Sequence, residues 1–409
     1  MVSNIIKKPE VLAPAGNIDK FYSAMHFGAD AVYLAGRKYG LRTSTDNFDR
    51  EQMLEAVNYA HSMGRKVYVT LNIVAHNSDF VQLPEYLQYM NGIKVDGLII
   101  SDPGVFMLAK EHAPDVDLHV STQANITNKH TASMWIGLGA KRIIPARELK
   151  LTEIAELRQG IPDEIEIETF VHGAMCMAYS GRCLLSNYSS SRLSNKGACN
   201  HSCRWEYTVK DTKTGEEMMV EEDDRGTYIF NSKDLNMIAH LDKLIKAGVS
   251  SFKIEGRSKS QYYAGAVANA YRRAVDMVVA NPDAPINQEL IEELNKVHSR
   301  GFTTGLYFGR HADADINYTE SNSNATYDVV AIVIDDSGDV PVVEHRNKFV
   351  QGDELEIVSP TDTHNKKFTV DMMTDMNGVA FTVANKVQQK IKLHCPYELK
   401  KGDFLRKKI

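Results

Sequence analysis

Four of the five cysteines fall within residues 176–203, in the stretch CMAYSGRCLLSNYSSSRLSNKGACNHSC. Their spacing is Cys176-x6-Cys183-x15-Cys199-x3-Cys203. The chain shows no apolar run of the roughly 20 residues that a membrane span needs and no signal-peptide core, so we expect a soluble, cytoplasmic protein. In that reducing compartment, grouped thiols bind metal or carry redox chemistry more often than they form disulfides. Four separate buried thiols are the alternative, which the polar, Ser-rich stretch disfavours.

Four thiolates suit either a tetrahedral zinc ion or a [4Fe-4S] cube, so the ligand count leaves both open. Structural zinc usually takes two compact CxxC pairs, which this stretch lacks, and a wider cluster tolerates scattered ligands. The spacing therefore favours iron-sulfur over zinc. Positive side chains add charge beside the sulfurs, either to hold an anionic substrate or only as solvated loop charges: Arg182, Arg192, His201 and Arg204. We interpret Cys395 as a lone buried thiol.

The cysteines must be positioned by the rest of the chain, which repeats one sequence pattern. Each repeat has a short apolar run, a turn and a segment whose apolar residues recur at helical spacing. Eight such runs occur before residue 260: EVLAPAG, DAVYLAG, KVYVTLNI, DGLIISD, DLHVSTQAN, KRIIPARE, EIEIETFVHG and SFKIEGR. Strands alternating with helices predict a parallel sheet, and eight units fit a closed (β/α)8 TIM-like barrel better than the alternative, an open doubly wound sheet. The cysteines form an insertion after strand seven.

The pattern changes near residue 323, where short alternating runs separated by turn residues predict a small antiparallel β-barrel. We therefore divide the chain into a TIM-like barrel at 1–322, with a Cys-rich loop and insertion at 172–232, and a small translation-factor-like barrel at 323–409. The net charge of −6 argues against a protein that coats nucleic acid with its whole surface. Residues 386–409, however, carry eight Lys or Arg against two acids, which is either an RNA contact or an ordinary charged tail.

Chemistry in a TIM barrel lies at the carboxyl ends of the strands. Polar residues at those predicted ends are Asn17, Asn72, Asp102, Gln123, Asn125, Arg147, Glu148, Glu168, His172, Lys253, Glu255 and Arg257.

These residues suggest separate roles. Arg147 and Arg257 are candidate clamps for a substrate carboxylate, because a guanidinium can hold two oxygens at once; the alternative is loop-tying pairs with a nearby Glu. Gln123, Asn125 and Lys233 are further candidates for substrate binding. The catalytic candidates are His172, Lys253 and Glu255, although a lone His more often holds a loop. Asp234 either re-enters the barrel or, as we prefer, caps the next helix.

The run ETFVHGAMCMAYSGRCLLS resembles the signature of the collagenase-like peptidase U-32 family. The similarity extends through LAPAGN, GADAVYLAG, DPGV, STQANITN, ARELKL, NSKDL and FKIEGR, which span nearly all of the first 330 residues. The closing GDELEI and KGDFLRK are similar to the small C-terminal barrel of the longer members.

The resemblance implies oxygen-independent hydroxylation with a [4Fe-4S] cluster, rather than the peptidase activity of the family name. Family branches form 5-hydroxyuridine at the tRNA wobble position, hydroxylate an rRNA cytidine or hydroxylate ubiquinone, and the RNA branches use prephenate. This chain is most similar to the tRNA branch, which implies tRNA and prephenate as partners.

Carried over by position, the cluster ligands are Cys176, Cys183, Cys199 and Cys203. Arg147, Lys253 and Arg257 would suit the two carboxylates of prephenate. Whether a paralogous chain is required as a partner stays open.

Two other functions remain as alternatives. A U-32 peptidase is disfavoured because HExxH and GxSxG are missing and no His stands at a recognisable spacing from the clustered thiols. A zinc-stabilised RNA-binding module without catalysis would use the same four cysteines.

Overall fold

The computed structural model describes most of the chain. The described residues are 7–41, 46–176, 178–190, 192, 194–204, 209–210, 217–218, 222–223, 226–227, 233–309 and 325–409. Asn231 and the first six residues lie outside them. Among the described residues, no helix has the length and apolarity needed to cross a membrane.

Eight parallel strands close into a barrel, which confirms the predicted fold. They are β1 (Glu10–Pro14), β2 (Ala31–Leu34), β3 (Lys66–Leu71), β4 (Gly97–Ile100), β5 (Asp117–Val120), β6 (Arg142–Ile143), β7 (Glu166–Gly173) and β8 (Ser251–Ile254). Each strand pairs with the next, and β8 closes the ring by pairing with both β7 and β1. The strands read as short, nearly continuous apolar runs because both of their faces are buried.

Most of the described helices follow a barrel strand and cover its outside, whereas the short helix Leu185–Ser190 lies within the cysteine-rich insertion. The helices are α1 (Ile18–His26), α2 (Arg50–Ser62), α3 (Leu83–Gly92), α4 (Pro103–His112), α5 (Lys129–Leu138), α6 (Leu151–Gln159), α7 (Leu185–Ser190), α8 (Leu241–Lys246), α9 (Gln261–Ala280) and α10 (Gln288–Asn295). In α2 the buried residues Met53, Ala56, Val57 and Ala60 recur at helical spacing, so one stripe faces the strands.

Two polar residues predicted at the barrel mouth are helix caps instead. The side chain of Asn17 accepts a hydrogen bond from the Lys20 amide (3.1 Å), and that of Asp102 accepts one from the Val105 amide (3.0 Å). Each bond satisfies an amide that the first helical turn leaves without a partner. Strand ends and helix starts are adjacent in this fold, so position alone does not separate a cap from a site residue.

The prediction that Asp234 caps a helix is wrong. Asp234 is buried in a short strand, Asp234–Asn236, that runs antiparallel to β7 and parallel to Phe302–Thr303. Its carboxylate forms an ion pair with Arg300, and α8 begins only at Leu241. A buried carboxylate needs a cation, and Arg300 was too distant in sequence to be recognised as its partner.

The C-terminal region forms a curled antiparallel sheet, as predicted. Its strands are β9 (Tyr327–Asp335), β10 (Val342–His345), β11 (Phe349–Val350), β12 (Glu354–Val358), β13 (Lys367–Thr369), β14 (Met373–Thr374), β15 (Ala380–Phe381), β16 (Val383–Ala384), β17 (Lys390–Leu393) and β18 (Phe404–Lys408). Eight of them pair in the order β13-β12-β18-β9-β10-β17-β14-β15, and β11 pairs with β16. The sheet encloses its own apolar core, which includes Val343, Leu355 and Leu405.

A buried charge network joins this sheet to the helical layer of the barrel. Arg406 of β18 is fully buried and binds both carboxylate oxygens of Glu293 in α10 (2.5 and 2.7 Å). Its Nε also donates to Glu356 of β12 (2.9 Å). Beside it, Phe404 stacks on Phe27 of α1 with ring centroids 5.4 Å apart.

Replacing Arg406 with Met should lower the free energy of unfolding by about 3–5 kcal/mol, because two buried carboxylates lose their guanidinium partner and share only the ammonium of Lys296. Urea denaturation of the full chain measures this value. The matched control is Lys407→Met, since Lys407 is partly exposed and pairs with Asp353 (2.7 Å) near the surface; its loss should cost at most about 1 kcal/mol. Equal effects of the two substitutions would contradict the importance of this network.

Candidate active site at the barrel mouth

A cavity of about 150 Å³ opens at the carboxyl ends of the barrel strands. We call it the mouth cavity. Its barrel residues include Tyr33, Thr70, Asn72, Gln123, Arg147, Phe170, Lys253, Glu255 and Arg257. Five residues predicted as catalytic or substrate-binding are in this group: Gln123, Arg147, Lys253, Glu255 and Arg257. With Asn72, the structure therefore brings six of the twelve polar residues predicted at the strand ends to one cavity.

All four clustered cysteines also line the mouth cavity: Cys176, Cys183, Cys199 and Cys203. They belong to residues 174–204, which we call the Cys loop and which directly follows β7. Cys176 comes three residues after the end of β7, and Cys183 precedes α7. All four have intermediate exposure. Sulfur and cationic side chains thus share one enclosed space.

Hydrogen-bond donors point at two of the sulfur atoms. The Leu185 amide donates to Cys183 Sγ (3.3 Å), and the His201 amide donates to Cys199 Sγ (3.4 Å). The Ser186 hydroxyl also donates to Cys199 Sγ (3.7 Å). Such donors stabilise negative charge on sulfur and are among the features that tune iron-sulfur clusters. This environment suits metal-bound thiolates better than apolar core thiols.

The four cysteines line one cavity without forming a binding group for a single ion among the described residues. Among the described residues, no three His, Cys, Asp or Glu side chains are grouped closely enough to hold a single metal ion. Four sulfurs on one zinc would lie within about 4 Å of one another, because each Zn–S bond is about 2.3 Å long. A [4Fe-4S] cube has a separate iron for each cysteine, so ligands distributed around a cavity fit it better.

Hydrogen bonds and an ion pair connect the Cys loop to residues that follow neighbouring barrel strands. Glu148, which follows β6, accepts hydrogen bonds from the amide and hydroxyl of Ser180 (2.7 and 2.6 Å). The Val74 amide, after β3, donates to the Asn195 carbonyl (3.1 Å), and Lys196 forms an ion pair with Asp79. These contacts hold the cysteines over the cavity from two sides.

Lys253 lies at the buried base of the mouth cavity. Its ammonium group donates to Glu168 (2.6 Å) and lies 4.5 Å from the ring centroid of Tyr33. Glu168 accepts a second bond from Arg142 (2.8 Å), which also binds Glu10 (2.8 Å). This chain of alternating charges runs through the barrel interior, and it fixes the position of Lys253 because every member is paired.

Two arginines border the same space. The Arg147 guanidinium donates to the Ala174 carbonyl (3.2 Å) and lies 5.1 Å from the Phe170 ring centroid. Arg257 is buried and donates to the Thr70 hydroxyl (3.3 Å). With Lys253 they place three cations on one cavity that has aromatic walls, Tyr33 and Phe170. Sequence reasoning missed both rings, although Tyr33 and Phe170 lie near the carboxyl ends of predicted strands.

Polar groups fill the remaining wall. Gln123 accepts a hydrogen bond from Asn72 (3.1 Å), and the Tyr33 hydroxyl donates to Glu255 (3.4 Å). Asn125 is not among the residues lining the cavity. In the orientation that pairs both its amide nitrogen and its amide oxygen, the oxygen accepts a hydrogen bond from Arg182 Nε (2.6 Å). Its backbone is left-handed, with φ of 56°. Asn125 therefore supports a loop cation rather than facing the cavity.

Lys233 and His172 lie away from the mouth cavity. Lys233 packs near Gly301. His172 is buried behind β7 among the rings of Tyr263, Tyr271 and Phe302. Residues two apart in a regular strand share a face, but the pairing of β7 with β8 shifts register between Phe170 and His172. This irregularity leaves Phe170 at the cavity and His172 among those rings. This position gives His172 a packing role, in place of the predicted catalytic one.

The C-terminal basic segment is only partly available for RNA. Arg406 is fully buried, and Lys407 and Lys400 pair with Asp353 and Glu398. The exposed lysines of this segment are Lys386, Lys390, Lys401 and Lys408. A count of charges in sequence therefore overstated the positive surface.

His172 predicts a specific pH dependence of stability. Burial, with a smaller contribution from the Lys259 ammonium, lowers the pKa of His172 to about 3, whereas an unfolded His has a pKa of about 6.5. Below pH 6.5 the unfolded chain binds a proton that the folded His172 does not. Its stabilising contribution is thus complete above pH 6.5 and is lost toward pH 3, by about 1.4 kcal/mol per pH unit.

Urea denaturation between pH 6.5 and 4.5 measures this slope. His172→Gln should reduce the slope by about 1.4 kcal/mol per pH unit, because the titrating ring is gone. His130→Gln, at an exposed position in α5, should leave the slope unchanged. A slope that is the same in wild type and His172→Gln would show that His172 is not held neutral.

The chain matches two family descriptions along its length. Residues 16–317 match Peptidase family U32, and residues 325–406 match the Peptidase family U32 C-terminal domain. Among curated relatives, tRNA hydroxylation protein P of Escherichia coli (strain K12) is 39% identical, covering 96% of this chain and 95% of its own length. tRNA hydroxylation protein P1 of Bacillus subtilis (strain 168) is 37% identical, with 98% and 96% covered.

A second Bacillus subtilis relative, tRNA hydroxylation protein P2, is 35% identical over 74% of this chain and 98% of its own length. The two family matches together cover the barrel from β2 to β8, the Cys loop and nearly all of the C-terminal sheet. This protein belongs to peptidase family U32.

Proposed function

We propose that this protein is a tRNA hydroxylase that forms 5-hydroxyuridine at the wobble position. The reaction would be independent of oxygen and take its hydroxyl from prephenate, with a [4Fe-4S] cluster bound by Cys176, Cys183, Cys199 and Cys203. The observation that carries the proposal is the shared lining of one cavity by four cysteines and three cations. Near full-length similarity to tRNA hydroxylation proteins supports the substrate class.

The donor set fits such a cluster. Four thiols border one cavity, and amide groups already donate to Cys183 and Cys199. A bound cluster would supply a redox-active iron centre at the wall of the cavity. The four cysteines come from one chain, so the proposed ligand set needs no residue from a paralogous partner.

The cations of the mouth cavity support an anionic co-substrate. Prephenate bears two carboxylates, and Arg147, Lys253 and Arg257 supply three positive groups on the same lining. Lys253 is fixed by Glu168, so binding does not have to restrict a mobile lysine. The faces of Tyr33 and Phe170 offer apolar contact for the ring of prephenate. These residues would therefore bind and orient the co-substrate.

The RNA would have to bring a single base to this cavity. Enzymes that modify a base take it out of its stack, and unpaired loop nucleotides are the least costly to extrude. The wobble nucleotide lies in such a loop. A uridine turned outward would enter between the Cys loop and the strand ends, where Gln123 and Asn72 offer amide groups for its edge.

Cys176→Ala should abolish both the cluster and the modified nucleoside, because one of four ligands is lost. The protein is purified without oxygen and its visible absorption recorded, and wobble nucleosides from cells lacking the native gene but carrying the variant are compared by mass spectrometry. The control is Cys395→Ala, since Cys395 packs against the C-terminal sheet core; it should keep both signals.

Three results would contradict this proposal. A colourless wild-type protein containing zinc would support the RNA-binding module, and cleavage of denatured collagen would support the peptidase. Modified uridine that persists without a cluster would remove the catalytic role of the cysteines.

Arg147→Met should raise the KM for prephenate about 10- to 100-fold with little change in kcat, as expected for the loss of a charge-assisted hydrogen bond of about 1.5–3 kcal/mol that holds the ground and transition states alike. Initial rates with purified protein and tRNA at varied prephenate measure this shift. Lys110→Met removes a cation from the exposed face of α4 and should leave the KM unchanged. An unaltered KM in Arg147→Met would exclude Arg147 as a prephenate ligand.

A further inference from the structure

A second cavity of about 240 Å³ lies beside the mouth cavity, between the loop that follows β2 and helices α2 and α3. We call it the side cavity. Its lining includes Tyr39, Met53 and Tyr86, with Arg37, Lys38 and Arg50 among its charged residues. None of these residues takes part in the proposed hydroxylation, so the side cavity needs its own explanation.

The loop after β2 forms a wall of both cavities. Leu41 lines the mouth cavity, and Tyr39, two residues before it, lines the side cavity. Two residues span at most about 7 Å of extended chain. If one unit of a polymer binds in one cavity, the neighbouring unit of the same polymer can therefore reach the other cavity.

The backbone of Tyr39 is held in an uncommon conformation. Its φ is +66°, in the left-handed region that bulky residues rarely adopt. Such conformations persist where the surrounding structure imposes them, and they cluster at functional sites. Here the conformation directs the Tyr39 ring into the side cavity, with its centroid 5.2 Å from that of Tyr86.

Tyr86 brings a polar group into this largely apolar space. The acceptor recorded for its hydroxyl among the described residues is the thioether of Met53, 4.0 Å away, and a thioether is a weak acceptor. A Cβ added to Gly36 would lie 2.4 Å from the Tyr86 hydroxyl, so glycine allows this close approach. The hydroxyl keeps hydrogen-bonding capacity for a ligand with a polar edge.

The residues that line the side cavity include three cationic side chains and two carboxylates. Arg50 pairs with Glu85 (2.6 Å) and Arg37 lies 3.5 Å from Asp49. Lys38 instead donates to the neutral amide of Gln82 (2.6 Å). Within the described ranges no carboxylate pairs with Lys38, and an ammonium in this position suits a contact with phosphate.

We propose that the side cavity binds the nucleobase next to the modified nucleotide, stacked on Tyr39, with Lys38 against the adjoining phosphate. An aromatic face, a polar group for the base edge and a cation for the backbone are the elements by which proteins hold unpaired RNA bases. This inference rests on the proposed function, because it requires an RNA loop at the mouth cavity.

Fluorescence of 2-aminopurine tests the stacking. The probe replaces a nucleotide on either side of the target in the anticodon stem-loop of the tRNA identified as substrate, and the full-length protein is added. Wild type should quench the probe at one flanking position. Tyr39→Ala should relieve the quenching and weaken stem-loop binding about 5- to 150-fold, the range found for loss of one base–aromatic stack.

The control variant is Tyr39→Phe, which keeps the ring and should retain both quenching and affinity. Lys38→Met should lower the slope of log affinity against log salt by about 1. Thermal melting of each variant, compared with wild type, checks that it is folded. If Tyr39→Phe retains wild-type melting but binds as weakly as Tyr39→Ala, the stacking proposal is overturned.

The experiments distinguish failure of the side-cavity proposal from failure of the proposed hydroxylase function. A wild type that neither binds the stem-loop nor modifies tRNA defeats the proposed function. A wild type that binds and modifies it, with Tyr39→Ala showing the same affinity and the same quenching, defeats only the side-cavity proposal.

Discussion

Closure of the strand ring is the constraint on which the proposed chemistry depends. β8 pairs with β7 on one side and with β1 on the other, so strands about 240 residues apart in sequence become neighbours. All eight strands are parallel, and their carboxyl ends therefore share one rim. That rim brings Arg147 of the β6 loop and Arg257 of the β8 loop to the same cavity as the four cysteines. Without closure these groups would lie on separate edges of an open sheet.

The buried charges explain why a polar residue such as Lys253 is tolerated inside this ring. Glu168, Lys253 and Arg142 are all almost fully buried, and each is paired. Burying an ammonium without a partner is costly, whereas a carboxylate within hydrogen-bond distance offsets that cost and holds the group at a fixed point. The pairing costs desolvation energy, and in return it gives the mouth cavity a cation whose position does not change on binding. Preorganisation of this kind is what an anion site requires.

Much of the barrel was predictable because local signals and the global fold agree. All eight strands were recognised as apolar runs, and the cysteines were placed at the rim because they follow β7. The errors concern residues whose role depends on distant partners. Asp234 was interpreted as a cap because its Arg300 lies 66 positions away, and Arg406 was counted as surface charge because Glu293 and Glu356 are remote in sequence. His172 lies away from the cavity because β7 shifts register between Phe170 and His172, and a residue pattern does not reveal such a shift.

The Cys loop differs from the barrel in what fixes its shape. Its described regular structure is one six-residue helix and short 3-10 turns, so backbone pairing contributes little to its order. Its anchors are instead side-chain contacts at its two ends, Glu148 with Ser180 and Asp79 with Lys196. These contacts hold the loop over the cavity. If the four cysteines bind the proposed cluster, metal binding and loop order would form one coupled equilibrium, in which the anchors reduce the entropy that ligand binding must overcome. The barrel would then supply the position of the site, and the loop its ligands.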